Sequence, residues 1–495
     1  MRAVARVRDR RLGKGTCWKF RKSGADQIQG IAGAYQLGGN PLGRIAQIHV
    51  QPAGLLDLLA IRRAIRGFSH ATSVPSPRVA WLHARISVSF DPKSVDDGLP
   101  KEMSVPAVRA IDKLGDIIAS SENFLDRMHA LGAEPHQRKT LQRLFSPSEA
   151  AEMVGRDRTT LARAERDIGL GDAPRNPGNN RRMGYTLAQI QAFRAHFGTL
   201  PWRDPTSDAP LVIACQNFKG GVGKSTTCVN LAHYLALKGY RILIIDTDSQ
   251  ATTTSMFGYV PDADITQDDT VLPYLASDQK SLAYAVRRSY FPGIDLIPAC
   301  LALYEAEIAI VMRVAGQPTA AQRIAFFSEL KYGIQTVADA YDVILIDSPP
   351  ALGMISVNVL VAADALLVPS AARMFDFSST VQFFRMVHNY IGQLDPDKTY
   401  RWISVLTTLF DRRYESQKQF FEVMRACFGD SVFQRVFFHS SAVINSAAQF
   451  ITPYEQMKPD RQVLQMMDNV FAEIELSILR EWPSKATALS QRGIT

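Results

Sequence analysis

Residues 211–246 constrain this chain more than any other stretch. Leu211-Val-Ile-Ala-Cys215 is a short apolar run fit for a buried strand. The loop after it reads Gln216-Asn-Phe-Lys-Gly-Gly-Val-Gly-Lys224. Apolar residues then recur at Cys228, Leu231, Ala232 and Leu235, the spacing of a helix that starts near Ser225, and Gly239 stands where it would end. A glycine-rich loop between a strand and a helix is the setting that a phosphate loop requires. Gly220, Gly221 and Gly223 let consecutive N–H groups face one anion, and the helix N-terminus adds partial positive charge. Lys224 is placed to reach β- and γ-phosphates, and Ser225 to ligate magnesium.

Two further apolar runs end in acid. Arg241-Ile-Leu-Ile-Ile-Asp246 leads into Asp246-x-Asp248-x-Gln250, and Val343-Ile-Leu-Ile-Asp347 leads into Ser-Pro-Pro. An Asp at a strand's C-terminal end can hold Mg²⁺ on a nucleotide. One such Asp alone would be read as a turn or helix cap. Three features in this order point to an ATP site with Mg²⁺ as its metal, drawing on Ser225, Asp246 and Asp347. The strict G-x-x-x-x-G-K-[ST] pattern is not met, because Phe218 stands where its first glycine belongs. Lys219 follows instead, giving Lys-Gly-Gly-Val-Gly-Lys-Ser.

That loop resembles the deviant Walker A motif of the ParA/MinD superfamily of P-loop ATPases, and the resemblance covers about residues 104–475. It implies a nucleotide sandwiched between two protomers. On that pattern Lys219 is the signature lysine crossing to the partner's phosphates, Lys224 the P-loop lysine and Asp248 the carboxylate that positions the attacking water. These three are the expected catalytic residues. The loop from Lys219 through Gly220, Gly221, Val222, Gly223, Lys224, Ser225 and Thr226 is the expected nucleotide cradle. Relatives usually carry Pro before the glutamine; Ser249 stands here. The run 347–353 resembles the family's switch region, and the C-terminal half looks most like the RepA group of repABC plasmids.

Upstream, residues 145–198 resemble a MerR-like winged helix-turn-helix. Ser146-Pro147-Ser148-Glu149 suits a helix start, Gly155 the turn, and Arg158-Thr-Thr-Leu-Ala-Arg163 the opening of a second helix. Arg156, Arg158, Thr159, Thr160 and Arg163 are the expected DNA contacts there. Arg181 and Arg182 are expected on a wing spanning 175–185. Thr186 is read as the cap of a further helix carrying Leu187, Ile190, Phe193 and Phe197.

The expected architecture is therefore α/β: a P-loop NTPase over 211–480, its mostly parallel sheet flanked by helices, preceded by an α-helical winged helix-turn-helix domain over 145–198. Residues 103–144 are read as N-terminal helices, as much a cap on the next domain as a dimerisation element. Residues 199–210, with three prolines, are read as a linker, and 481–495 as a polar tail.

Charge is informative only by position. The formal net charge is +8, but residues 1–100 hold 16 Lys and Arg against 6 Asp and no Glu, leaving 40 basic and 42 acidic groups in the rest. Basicity thus gives no argument for nucleic-acid binding by the whole molecule. Residues 1–102 are expected to be a poorly structured extension. A basic tail and a transit peptide share this composition, and an upstream translated region with the start at Met103 is the favoured reading. The five cysteines are scattered with no Cys-x-x-Cys pair, which argues against a disulfide framework or zinc site. Cys300, where relatives often have Asn, is read as a small buried residue. No run of 18 or more apolar residues occurs.

The resemblance implies a cytoplasmic, nucleoid-associated ATPase with weak basal turnover that partitions plasmid DNA. It would dimerise on ATP, bind DNA nonspecifically, answer to a ParB/RepB-like centromere-binding protein and repress its own operon. Arg412, Arg413, Lys418, Arg435 and Lys458 are candidates for the nonspecific contacts. A MinD-like membrane-positioning ATPase is disfavoured because the stretch from Trp482 is polar and broken at Pro483. A repressor with little hydrolysis is disfavoured by Lys224, Ser225, Asp248 and Asp347 all being in place.

Overall fold

The computed structural model describes residues 4–8, 15–22, 28–33, 49–50, 111–121, 139–170, 178, 182–316 and 319–491. The chain divides into two units, Met1–Gly115 and Asp116–Thr495. In the first, β1 (Val4–Arg8), β2 (Gly15–Lys22), β3 (Ile28–Gly33) and β4 (His49–Val50) pair antiparallel in chain order. Within β2, Trp18 and Phe20 alternate in sequence with Lys19 and Arg21, the period of a strand. A helix spans 111–121 and exposes Ile111, Leu114, Ile117 and Ile118. The second helix expected around Phe124, Leu125 and Met128 lies outside the described residues.

The second unit opens with the three-helix module. Helix α1 (Pro147–Val154) starts at Ser146 in a reciprocal capping box with Glu149 and stops at Gly155, whose φ of 70° is left-handed. Asp157 caps α2 (Arg158–Asp167), and Thr186 with Gln189 caps α3 (Leu187–Phe197). Phe145 and Tyr185 exchange backbone hydrogen bonds of 2.9 and 2.8 Å, which closes the base of the wing. Most of the wing lies outside the described residues.

A seven-stranded sheet follows. Its order is β11-β10-β5-β9-β6-β8-β7, with β5 (Leu211–Cys215), β6 (Ile242–Asp246), β8 (Ile294–Ile297), β9 (Val343–Asp347), β10 (Ala365–Ala371) and β11 (Trp402–Thr408) parallel. Only β7 (Arg287–Arg288), at one edge, is antiparallel. The strands read as unbroken apolar runs because both faces are covered. Leu211, Ile213, Ile242, Ile244, Val343 and Leu345 enter one apolar cluster, while Val212, Ala214, Leu243, Ile245, Ile344 and Ile346 enter the other. Helix α4 (Lys224–Lys238) follows β5 and ends at Gly239, as expected. Helices α5 (Ala302–Ala315), α6 (Met354–Ala362) and α7 (Arg461–Arg480) add to the covering layers. No helix among the described residues is long and apolar enough to cross a membrane.

The three-helix module and the sheet domain share one core: Phe145, Ile190 and Phe193 cluster with Leu231, Ala232 and Tyr240. Residues 199–210, read as a linker, form a pinned strap. Arg203 is buried and donates to the Tyr341, Asp208 and Asp339 carbonyls, and Trp202 Nε1 donates to the Gly239 carbonyl at 2.9 Å. Prolines here fix an extended path over a surface rather than a free tether. The tail is anchored likewise. Trp482 is buried and donates to the Ala209 carbonyl at 3.0 Å, and Pro483 opens another helix (Pro483–Gln491) instead of ending order.

Helix α4 carries a fully buried His233. Its ring stacks on Phe291 at 4.2 Å, Nδ1 lies 2.8 Å from Thr452 Oγ1, and Nε2 has no partner. Burial holds its pKa down to about 4, against Glu455, which raises it, and with Lys139, which lowers it further. The folded pKa lies below the unfolded value, so stability is complete above pH 6.5 and is lost as pH falls toward 4. Between pH 7 and 5 this residue should cost about 2 kcal/mol. Denaturant unfolding at both pH values should show that slope in the native protein and a flatter one in His233→Gln. Equal slopes would place the acid sensitivity elsewhere.

Candidate functional site

The ends of β5, β9 and β6 lie side by side, since Cys215 pairs with Asp347 and Asp347 with Asp246. Sheet order therefore brings the glycine loop and both strand-end acids to one edge, at the point where the strand order reverses. In the loop, Gly221 and Gly223 take φ of 73° and 88°, and a side chain at either would meet no atom within 4 Å. Gly220 lacks that positive φ but faces the same open space. Thr408 Oγ1 donates to the Val222 carbonyl at 2.7 Å and pins the loop from β11. The Asn217 side-chain amide is tied to the Pro369 carbonyl at 2.8 Å. Beside Ser225 and Thr226 opens a cleft of about 190 Å³, bounded by Asn230, Gln250, Val443 and Phe450.

The two lysines of the loop point differently. Lys224, at the first position of α4, is buried, and its Nζ lies 3.4 Å from the Lys219 carbonyl. Desolvation lowers its pKa while Asp347 and Asp248 pull it back up. Lys219 is exposed, with no side-chain partner among the described residues.

Each strand-end acid is held by threonines that sequence reading missed. Asp246 Oδ2 accepts the Thr254 N–H and hydroxyl at 2.8 and 2.7 Å, and its Oδ1 accepts the Asp248 N–H at 3.1 Å. Asp347 Oδ2 accepts the Thr253 hydroxyl at 2.7 Å, while its Oδ1 has no partner. The run Thr252-Thr-Thr just past Gln250 is the signal that would have found them. Burial pushes Asp347 up to about 6, with Ser225 and Thr253 pulling it down. Burial, then the Asp347 charge, raises Asp246 well above the carboxylate range. Two adjoining buried carboxylates and an orphaned Oδ1 fit a divalent cation, which would relieve both. No group of three or more His, Cys, Asp or Glu that could hold a metal occurs among the described residues. Mg²⁺ itself takes one or two carboxylates, with phosphate and water completing its shell. Asp248 is buried on the loop after β6, its Oδ1 accepting the Gln250 N–H at 3.0 Å. Ala251 next to it has a φ of 50°, an uncommon conformation for a side chain to adopt.

In the three-helix module, Arg156, Arg158, Thr159 and Arg163 lie exposed, while Leu161 and Ala164 of α2 are buried. Thr160 is half-buried, and its hydroxyl is committed to Asp157 at 2.6 Å. Arg166, not singled out from sequence, is also exposed on α2. Arg181 lies outside the described residues. Arg182 is engaged inward, pairing with Glu165 and Tyr185. Of the C-terminal cations, Arg413 is paired with Asp411, Lys418 with Glu415 at 2.9 Å, and Arg412 stacks on Phe438 at 4.2 Å. Cys300 is buried, as expected.

An AAA domain family model matches residues 211–398. Protein SopA of Escherichia coli K12 is 34% identical over 328 residues, covering 65% of this chain and 83% of SopA. A putative replication protein A of Rhizobium rhizogenes is 30% identical over 414 residues, covering 79% of this chain and 98% of the relative. Among solved structures, one described as a partition protein matches 74% of this chain and 99% of its own, with a TM-score of 0.52 at 20% identity, a likeness of fold. With relatives of this identity matched over most of their length, and a deviant P-loop facing two strand-end acids, the chain belongs to the ParA family of partition ATPases.

Proposed function

We propose that this protein is a DNA-partitioning switch that dimerises on ATP, binds DNA nonspecifically as the dimer and represses its own operon. One observation carries the reading: Lys219 and Lys224, five residues apart on one loop, are exposed and buried respectively. A buried lysine serves the nucleotide of its own protomer. An exposed one, on a flexible stem, is free to meet a phosphate presented from outside. Ser225, Asp246 and Asp347 would hold Mg²⁺ with ATP, and the ion would neutralise phosphate charge as the terminal group departs. Asp248 orients water, and the loop N–H groups of 220–224 hold the phosphates. A site completed only by a second copy is slow alone, so basal turnover is weak. A centromere-binding partner then speeds it and releases the DNA. The same reading places the protein on the nucleoid.

The exposed face of α2 supports sequence-specific DNA binding by the module that shares the ATPase core. Arg158→Ala with Arg163→Ala should weaken binding to the protein's own upstream DNA about a hundredfold or more, at roughly 1–3 kcal/mol per contact. ATP turnover should be unchanged. Footprinting beside an ATPase assay checks both, and a retained footprint would remove α2 as the reading helix.

A further inference from the structure

Helix α5 is tied to both acid-bearing strands. Just before its start, the Ala299 N–H donates to Thr254 Oγ1 at 2.8 Å, and that hydroxyl donates to Asp246. Further along, Glu307 reaches across to α6: Oε2 accepts the Met354 N–H at 2.7 Å and Oε1 the Ile355 N–H at 3.0 Å. These are the first two N–H groups of α6, which has no side-chain cap of its own because Gly353 stands at its N-cap. Gly353 adopts extended backbone (φ −99°, ψ −174°) that any residue could take. What excludes a side chain there is Glu307, whose carboxylate a Cβ would overlap.

The start of α6 matters because only residues 348–353 separate it from Asp347. That loop is fixed at one end by Asp347 and at the other by the helix Glu307 holds. The Ser356 hydroxyl, donating to the Ala351 carbonyl at 2.6 Å, folds it back onto α6. The other face of α5 exposes Tyr304 and Met312 to solvent, while Arg313 near its C-terminal end donates to Ser277 Oγ at 2.8 Å and pairs with Glu329 at 3.3 Å. We propose that Glu307 is a positioning residue for ATP hydrolysis, linking α5 to the 348–353 loop so that the loops behind Asp246 and Asp347 move together. This rests on the reading of the chain as an ATPase acting through Lys224.

A helix cap can be replaced locally; a link between two loops cannot. Glu307→Ala removes both. Adding Gly353→Ser supplies a serine at the N-cap, where that residue is strongly preferred, in the space the carboxylate has vacated. In the full-length protein, Glu307→Ala should lower the melting temperature and reduce kcat about tenfold, with KM for ATP within about twofold. The double variant should regain the melting temperature and keep the low kcat. Glu307→Ala at native turnover, or recovery of kcat together with melting temperature in the double variant, would overturn the proposal. If Glu307→Ala does not fold, the double variant decides alone. Failure of the underlying reading looks different: turnover that survives Lys224→Ala.

Discussion

Lys224→Ala should cut ATP turnover about a thousandfold, the scale expected when a preorganised charge facing a transferring phosphoryl group is removed. The lysine is buried at the first turn of α4, beside the loop whose N–H groups face the same anion. Its charge is costly to bury, and Asp347 and Asp248 sustain it. A lysine held in that way is aimed before substrate arrives, so no reorganisation is needed at the moment of transfer. Its truncation also removes the positive charge that faces Asp347 and Asp248. The variant should therefore lose some stability along with activity, and binding of an upstream DNA fragment gives a check on folding that the nucleotide site does not touch. A rate equal to the native protein's, in a folded Lys224→Ala protein, would end the ATP-site assignment.

The fold was legible wherever local chemistry and global packing agreed. β5, β6 and β9 are apolar on both faces because helices cover both, and so they stood out as unbroken runs ending in acid. Ser146 with Glu149, Gly155 and Gly239 act through neighbours in the chain, and each sits where its spacing placed it. What depended on distant partners was not legible. Trp202 and Arg203 looked like linker residues until Gly239, Tyr341 and Asp339 became their neighbours. Arg182 looked like a DNA contact; its composition is right, but Glu165, on another element, takes it. Glu307 and Gly353 carry no motif at all, since one hydrogen-bonds 47 residues away and the other is crowded by that distant carboxylate. In the site itself the acids and lysines could be read directly. The threonines that hold the acids left only the run Thr252-Thr-Thr as a signal, which suits an ordinary helix start equally well and so was passed over.

Lys219 and Asp248 should separate assembly from hydrolysis. A cyclic dimer uses each contact twice, so an exposed lysine that crosses to the partner's phosphate contributes two charge-assisted hydrogen bonds. At about 1.5–3 kcal/mol each, losing both weakens the ATP-bound dimer by ~3–6 kcal/mol, which is a hundredfold or more in dissociation constant. Lys219→Ala should stay monomeric with ATP at concentrations where the native protein dimerises. Its own fold should not suffer, because its side chain has no partner among the described residues. Asp248 is the opposite case. It is buried, turned toward Gln250 and the loop after β6, and removed from the exposed face that Lys219 occupies. Asp248→Ala should dimerise on ATP and then persist as the dimer, because the water is no longer oriented for attack. Light scattering with ATP over time distinguishes the two: no dimer for Lys219→Ala, a long-lived dimer for Asp248→Ala. If Lys219→Ala dimerised as the native protein does, the outward lysine would have no partner phosphate to meet, and the sandwich would have to be closed by other residues.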